Sequence, residues 1–333
     1  MPIPFILGGA AAVAGAVGVK KGVDAATKSI EANRISKDAK SLLSSGQSQI
    51  NNNRYEVNEA LEKLGDGKVK LVKQLERYVR LMNQIRNIDL EEIDLSTSEI
   101  ANEEAFHQLE TYTIKLTNLL AGVSLSAGSG VLTAFGAYSG AMTFGAASTG
   151  AAIKGLTGVA ATNATLAYLG GGSLAAGGYG MAGGTMILGG LVAGPAVAVG
   201  GFALDAMADK QLETSKSEAE KAKSLHKQQQ LLAVALENIH MVTNSFNKLL
   251  LDVRKLQLKS DKALKAIIQE KIDWTLFTKY EKETVHTTLL VAQLVKGLLE
   301  TNVLDESGEL VTETNEKLNE IESRTDEYRV KFQ

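Results

Sequence analysis

Gly178-Tyr179-Gly180-Met181-Ala182-Gly183 has the spacing of a phosphate-cradling turn, and Asp205 follows at the distance of a ribose-binding carboxylate. That chemistry needs a strand before the glycines and alternating strands and helices around them. No alternating apolar run precedes the match, and Gly170, Gly171, Gly172 and Gly177 show that the whole stretch is rich in glycine. The four histidines, His107, His226, His240 and His286, are scattered and lack the spacing of a metal-binding helix. They are read as surface or helix-packing residues. Asp89, Glu91, Glu92, Asp94, Glu99, Glu103 and Glu104 form an acidic run with no Lys or Arg between Arg86 and Lys115. The run departs from the calcium-loop pattern and reads as a solvated acidic helix start. Asn163-Ala164-Thr165 is a glycosylation sequon by letter, embedded in apolar sequence. No nucleophile, base and orienting group can be assembled, so neither enzymatic activity nor a cofactor is expected.

The elements around these residues carry a stronger signal. From Leu116 to Leu204 the chain runs 89 residues with one charged side chain, Lys154. Of the 32 glycines, 22 fall inside that stretch, in company with Ala, Leu, Val and Met. Proline is confined to Pro2, Pro4 and Pro195, so the composition is neither collagen-like nor that of a disordered chain. A membrane span needs about 20 apolar residues, which leaves room for two to four crossings. The expected layout is a hairpin with arms at about 118–150 and 173–204 and a tip at 151–172. Lys154, Thr157, Thr162, Asn163, Thr165 and Tyr168 make that tip the least apolar part, and Lys154 could snorkel there to headgroups. Gly136/Gly140, Gly180/Gly184 and Gly190/Gly194 are four-residue pairs that keep small residues on one helix face. Such faces let helix backbones approach closely in lipid. In water each glycine costs a helix about 1 kcal/mol relative to alanine. The same Gly/Ala pattern also suits the close-packed centre of a soluble protein, and that alternative stays open.

The flanks are helical by period. Leu43, Ile50, Val57, Leu61, Leu64, Leu71, Leu75, Tyr78, Met82 and Ile85 follow three- and four-residue steps, interrupted by Gln47, Arg54 and Lys68. Gly65 and Gly67 suggest a kink in that helix. Ser96 and Glu99 have the spacing of a capping box for the next helix. Beyond the insert, Leu225, Leu232, Leu236, Ile239, Phe246, Leu250, Val253, Leu264, Ile267 and Trp274 repeat the pattern, with a bend expected near 273–278. Asp305-Glu306-Ser307-Gly308 reads as a turn before a short polar helix, and no strand is expected. The two stripes need partner faces, so the flanks are expected to pack antiparallel and to form a bundle without help from the insert.

The fold class expected is all-α, an elongated helical bundle or coiled coil with a Gly/Ala-rich apolar helical hairpin insert. Its divisions are an apolar segment 1–25, amphipathic helices 26–115, the hairpin 116–207 and amphipathic helices 208–333. Ile3–Val19 is apolar with Lys20 and Lys21 after it, the reverse of the usual secretory order; an anchor or inserting helix, a buried helix and a cleaved signal stay open for it. Charge is balanced: residues 1–115 carry 15 basic and 16 acidic side chains, and 205–333 carry 19 and 22. No basic arm or stripe is expected to meet a phosphate backbone, so nucleic acid is not an expected partner. The absence of cysteine excludes thiol catalysis and thiolate metal sites.

The order of parts resembles two families: helical pore-forming toxins of the cytolysin A and haemolysin BL type, and apolipoprotein L-like proteins. The resemblance lies in residues 116–207, above all LGGGSLAAGGYGMAGG at 169–184 and LGGLVAGPAVAVGG at 188–201. It is one of layout and composition. It implies a membrane-associated protein, with a soluble form in the toxin case, a lipid bilayer as partner, and homo-oligomerisation on that bilayer. A membrane scaffold that recruits a protein partner through its helical flanks is the competing expectation, as is a soluble structural protein.

Overall fold

The computed structural model describes residues 19–92, 101–122, 132, 135–137, 208–305 and 308–332. These residues are helical, with isolated bridges and no strand. The elements are α1 (Val19–Met82), α2 (Glu103–Gly122), α3 (Ala208–Glu270), a 3-10 turn (Trp274–Leu276), α4 (Lys279–Glu300) and α5 (Thr314–Lys331). Gly140, Gly180, Gly184, Gly190, Gly194, Lys154 and Asn163 lie outside the described residues, as do Ile3–Gly18, the Ser96/Glu99 box and the 178–183 glycine turn. Among the described residues no helix is long and apolar enough to cross a membrane.

The contacts divide the chain into two units, Met1–Ile50 with Ala196–Ala233, and Asn51–Pro195 with Val234–Gln333. Two of the breaks, at 50/51 and 233/234, fall within the long helices α1 and α3. In the first unit, Gln229 Nε2 donates to Leu43 O at 3.3 Å. Gly46 is buried beneath Gln229 and His226, where a side chain would collide with both.

The second unit holds most of the described core. Of the α1 stripe, Ile50 belongs to the first unit and is buried; in the second, Val57, Leu61, Leu64, Leu71, Leu75, Tyr78, Met82 and, just past the helix end, Ile85 are all buried. The α3 stripe buries Leu236, Ile239, Phe246, Leu250, Val253 and Leu264. These two segments run parallel, which corrects the antiparallel expectation. Asn247 Nδ2 donates to Ala60 O at 2.9 Å, Gly67 lies under Leu250, and Arg86 bridges Asp273 in parallel. Partner numbers rise together along both helices. An apolar stripe specifies which face is buried and leaves helix direction open, so the pattern could not have decided it. The antiparallel neighbours come from elsewhere. Asn83 Nδ2 donates to Glu110 Oε1 at 2.7 Å in the first half of α2, while Leu132 and Gly136 reach Gly65 and Leu61.

Local chemistry sets the ends. Asn102 Oδ1 accepts from Ala105 N at 2.9 Å and opens α2. After α3 the chain turns where expected: Asp273 caps the 3-10 turn, and Thr278 with Glu281 forms a capping box that starts α4. The α4 helix buries Val285, Leu289, Val291, Ala292, Val295 and Leu299, residues that lie on several of its faces, and is therefore surrounded. Gly308 takes φ 82° in the turn before α5, a conformation that favours glycine. α5 returns along α4, with Ile321 over Gly297 and Tyr328 packed with Leu290, Leu294 and Leu256.

Candidate functional site

Within the second unit, Leu132 and Gly136 of the apolar insert meet α1. Phe135, Gly136 and Ala137 are buried there. Gly65 and Gly136 face one another across the contact. A Cβ on Gly65 would overlap the Leu132 carbonyl, and one on Gly136 would overlap the Leu61 carbonyl and sit 3.1 Å from Gly65 N. Neither obstacle is a flexible side-chain end, so the backbones themselves would have to separate. Gly65 and Gly67, read from sequence as a kink, lie in an uninterrupted helix and serve instead as space for neighbours.

Lys68 stands one turn below this crossing. It was visible only as a polar interruption of an apolar stripe, and its side chain is fully buried. Its ammonium donates to Thr301 O at 2.8 Å and to Gly136 O at 3.3 Å, and lies 4.8 Å from the Phe246 ring centroid. Thr301 is the C-cap of α4, where the helix presents outward-pointing carbonyls that favour a cation. Burial nevertheless pulls the Lys68 ammonium down to about 7. The loop after α4 completes the clasp. Ala137 O accepts from Val303 N at 3.1 Å and from Leu304 N at 3.3 Å, and Val311 N donates back to Val303 O at 3.0 Å. The root of the insert is thus tied to α1 by Lys68 and to the α4–α5 loop by backbone bonds.

Below the root lies a polar layer in the core. Gln257 Nε2 donates to Asp261 Oδ1 at 2.7 Å, and Asp261 is mostly buried. Burial pushes its carboxyl up to about 6, opposed by the Gln257 bond and by Arg77. Tyr78 faces Thr288 in the same layer, and burial drives its phenol far above the ordinary range.

The far end is closed by Trp274, which is buried against Phe277 and His286. Trp274 Nε1 donates to Glu92 Oε2 at 2.8 Å, and Lys282 Nζ reaches the two Glu92 oxygens at 2.7 and 2.6 Å. Those bonds, Lys282 first, hold the Glu92 carboxyl below its usual range. One member of the acidic run is therefore a structural anchor. His286 is buried and lowered mainly by that burial; His107 is exposed.

Of the site residues singled out in the insert, the structure describes Gly136 alone and places it against Leu61 and Gly65 of α1. Lys68, Gly65, Thr301 and Asp261 are the residues that sequence reasoning missed. A lysine and a glycine three apart on a buried stripe were the available signal. Compared with known proteins, the chain matches no family model, no curated protein and no solved structure.

Proposed function

We propose that the protein is a membrane-active helical protein whose Gly/Ala-rich hairpin enters a lipid bilayer and oligomerises there, permeabilising it. The observation that carries this reading is the run from Leu116 to Leu204 with Lys154 as its single charge. Leucine, valine and methionine make the run apolar enough to enter lipid, and its glycines supply faces for helix association where hydrophobicity cannot drive it. The geometry of the root supports a held arrangement. Release has to break the Lys68 bond to Gly136 and the Val303 and Leu304 bonds to Ala137, and has to withdraw Phe135 and Ala137 from the core and part the Gly65/Gly136 crossing. The reading assigns no enzymatic role, and its partners are the bilayer and further copies of the chain.

A second reading, a soluble helical protein whose insert is core, has one observation in its favour: Phe135, Gly136 and Ala137 are buried against the bundle. Dye-filled liposomes separate the two. Purified without detergent, a conditional membrane-active protein stays in solution and then releases dye. Intact liposomes over a range of lipid composition and pH would favour the second reading. Aggregation without detergent would favour a permanently inserted scaffold.

A further inference from the structure

The chain-wide balance of charge conceals a local excess on α3. Between residues 248 and 265 stand Lys248, Arg254, Lys255, Lys259, Lys262 and Lys265, against Asp252 and the buried Asp261. This corrects the expectation that no basic stripe exists. Lys248, Leu251, Lys255, Leu258, Lys262 and Lys265 follow steps of three and four, so they share one line along the helix, and all six are exposed. Leu251 and Leu258 keep 45% and 43% of their surface, unusual for leucines in a helix that buries its other stripe. That other stripe, Phe246, Leu250, Val253, Gln257, Ser260 and Leu264, occupies the opposite side. Lys255 pairs with Asp252 at 3.1 Å, and Arg329 of α5 approaches the same carboxylate at 4.0 Å. Lys248, Lys259, Lys262 and Lys265 make no ion pair among the described residues. Like charges three and four apart weaken a helix, so the packing of the bundle gives no reason for this row.

We propose that the exposed Lys–Leu stripe of α3 is a docking surface for anionic lipid headgroups. The inference rests on the membrane-active reading and names the membrane: one with negatively charged lipid. Lysines reach phosphate and carboxylate headgroups while their stems and the two leucines settle into the apolar boundary. Attraction to a negative leaflet comes from the local cluster, since the whole chain carries −3. A nucleic-acid phosphate backbone offers the same charge. The stripe, however, sets leucine between its lysines, where base binding calls for an aromatic platform.

The test uses the full chain in flotation with vesicles of phosphatidylcholine alone and of phosphatidylcholine mixed with phosphatidylserine. Binding is expected only to the mixed vesicles and weakens with added salt. Replacing Lys248, Lys255, Lys262 and Lys265 together by Gln keeps helix propensity at exposed sites. It should weaken binding roughly fivefold per lysine, on the order of several hundredfold in all. Leu251→Gln with Leu258→Gln should weaken binding while leaving its salt dependence unchanged. Equal flotation with both vesicle types, or full binding by the quadruple variant, would overturn the proposal. So would binding to duplex DNA in preference to the mixed vesicles. Dye release from phosphatidylcholine alone would leave the membrane-active reading standing and this surface without a role. Stripe-dependent binding with no dye release under any condition would do the reverse.

Discussion

Lys68→Met removes a charge from the root of the insert and keeps the volume of the stem. In the folded chain the ammonium titrates at about 7, against 10.5 when free, because it is fully buried. The unfolded chain therefore binds more protons between those two values, and stability rises with pH across that window. The full span is 3.5 pK units, on the order of 5 kcal/mol, of which about 3 kcal/mol is gained between pH 7 and pH 9.5. Methionine abolishes this titration. It also leaves the carbonyls of Gly136 and Thr301 without the ammonium as donor, at roughly 1–3 kcal/mol each, so the net change at pH 7 is small. Urea unfolding followed by Trp274 fluorescence reports the second unit, because Trp274 is the only tryptophan and is buried there. The wild type should gain about 3 kcal/mol more than Lys68→Met between pH 7 and pH 9.5. Parallel pH profiles for the two proteins would refute the reasoning and mean that the ammonium reaches water in the folded state.

The glycines offer a graded test. Gly65→Ala and Gly136→Ala should each destabilise the second unit by about 1–3 kcal/mol, because the new methyl meets backbone. Gly297→Ala, whose nearest neighbour would be Ile321 Cδ1 at 3.9 Å, should be neutral or stabilising by about 0.5–1 kcal/mol. Thermal unfolding monitored by circular dichroism distinguishes the pair from the control, and equal shifts at all three would mean the crossing is loose. Asp261 has the opposite pH signature to Lys68. Its carboxyl is raised to about 6, so the native state binds the extra proton and stability falls as pH rises from about 4 to about 6. Asp261→Asn should flatten that part of the urea profile, and an unchanged slope would place the relevant titration elsewhere.

Period alone made much of this fold legible. Most residues of the two stripes named from spacing are buried, with Leu43, Leu225, Leu232 and Ile267 half-buried; the bend falls at 273–278, where the length of the helical run called for one, and Gly308 closes a turn. The direction of packing was not legible, because a stripe looks the same to a parallel and an antiparallel neighbour. Lys68 was not legible either. A buried lysine and a surface lysine are the same letter, and only the carbonyls of Thr301 and Gly136, distant in sequence, give it a role. Gly65 suggested a break because helix propensity considers one helix at a time, whereas its use lies in the backbone of a second segment. The basic stripe of α3 escaped because charge was summed over whole flanks. Asp261 cancels a lysine in that sum, and its burial removes it from the surface.

The hairpin itself is tested most directly at position 154. The chain contains no cysteine, so Lys154→Cys provides a single labelling site. A charge at mid-bilayer costs on the order of 3 kcal/mol or more, which is why the lone lysine of the insert is assigned to the tip. An environment-sensitive dye at position 154 should report a headgroup-level position after liposome binding, and an impermeant quencher enclosed on the far side should reach it. Dyes near Gly136 and Met186 should report lipid. Quenching of position 154 from the near side alone, while liposomes still release their contents, would contradict the hairpin and assign the breach to another segment of the chain.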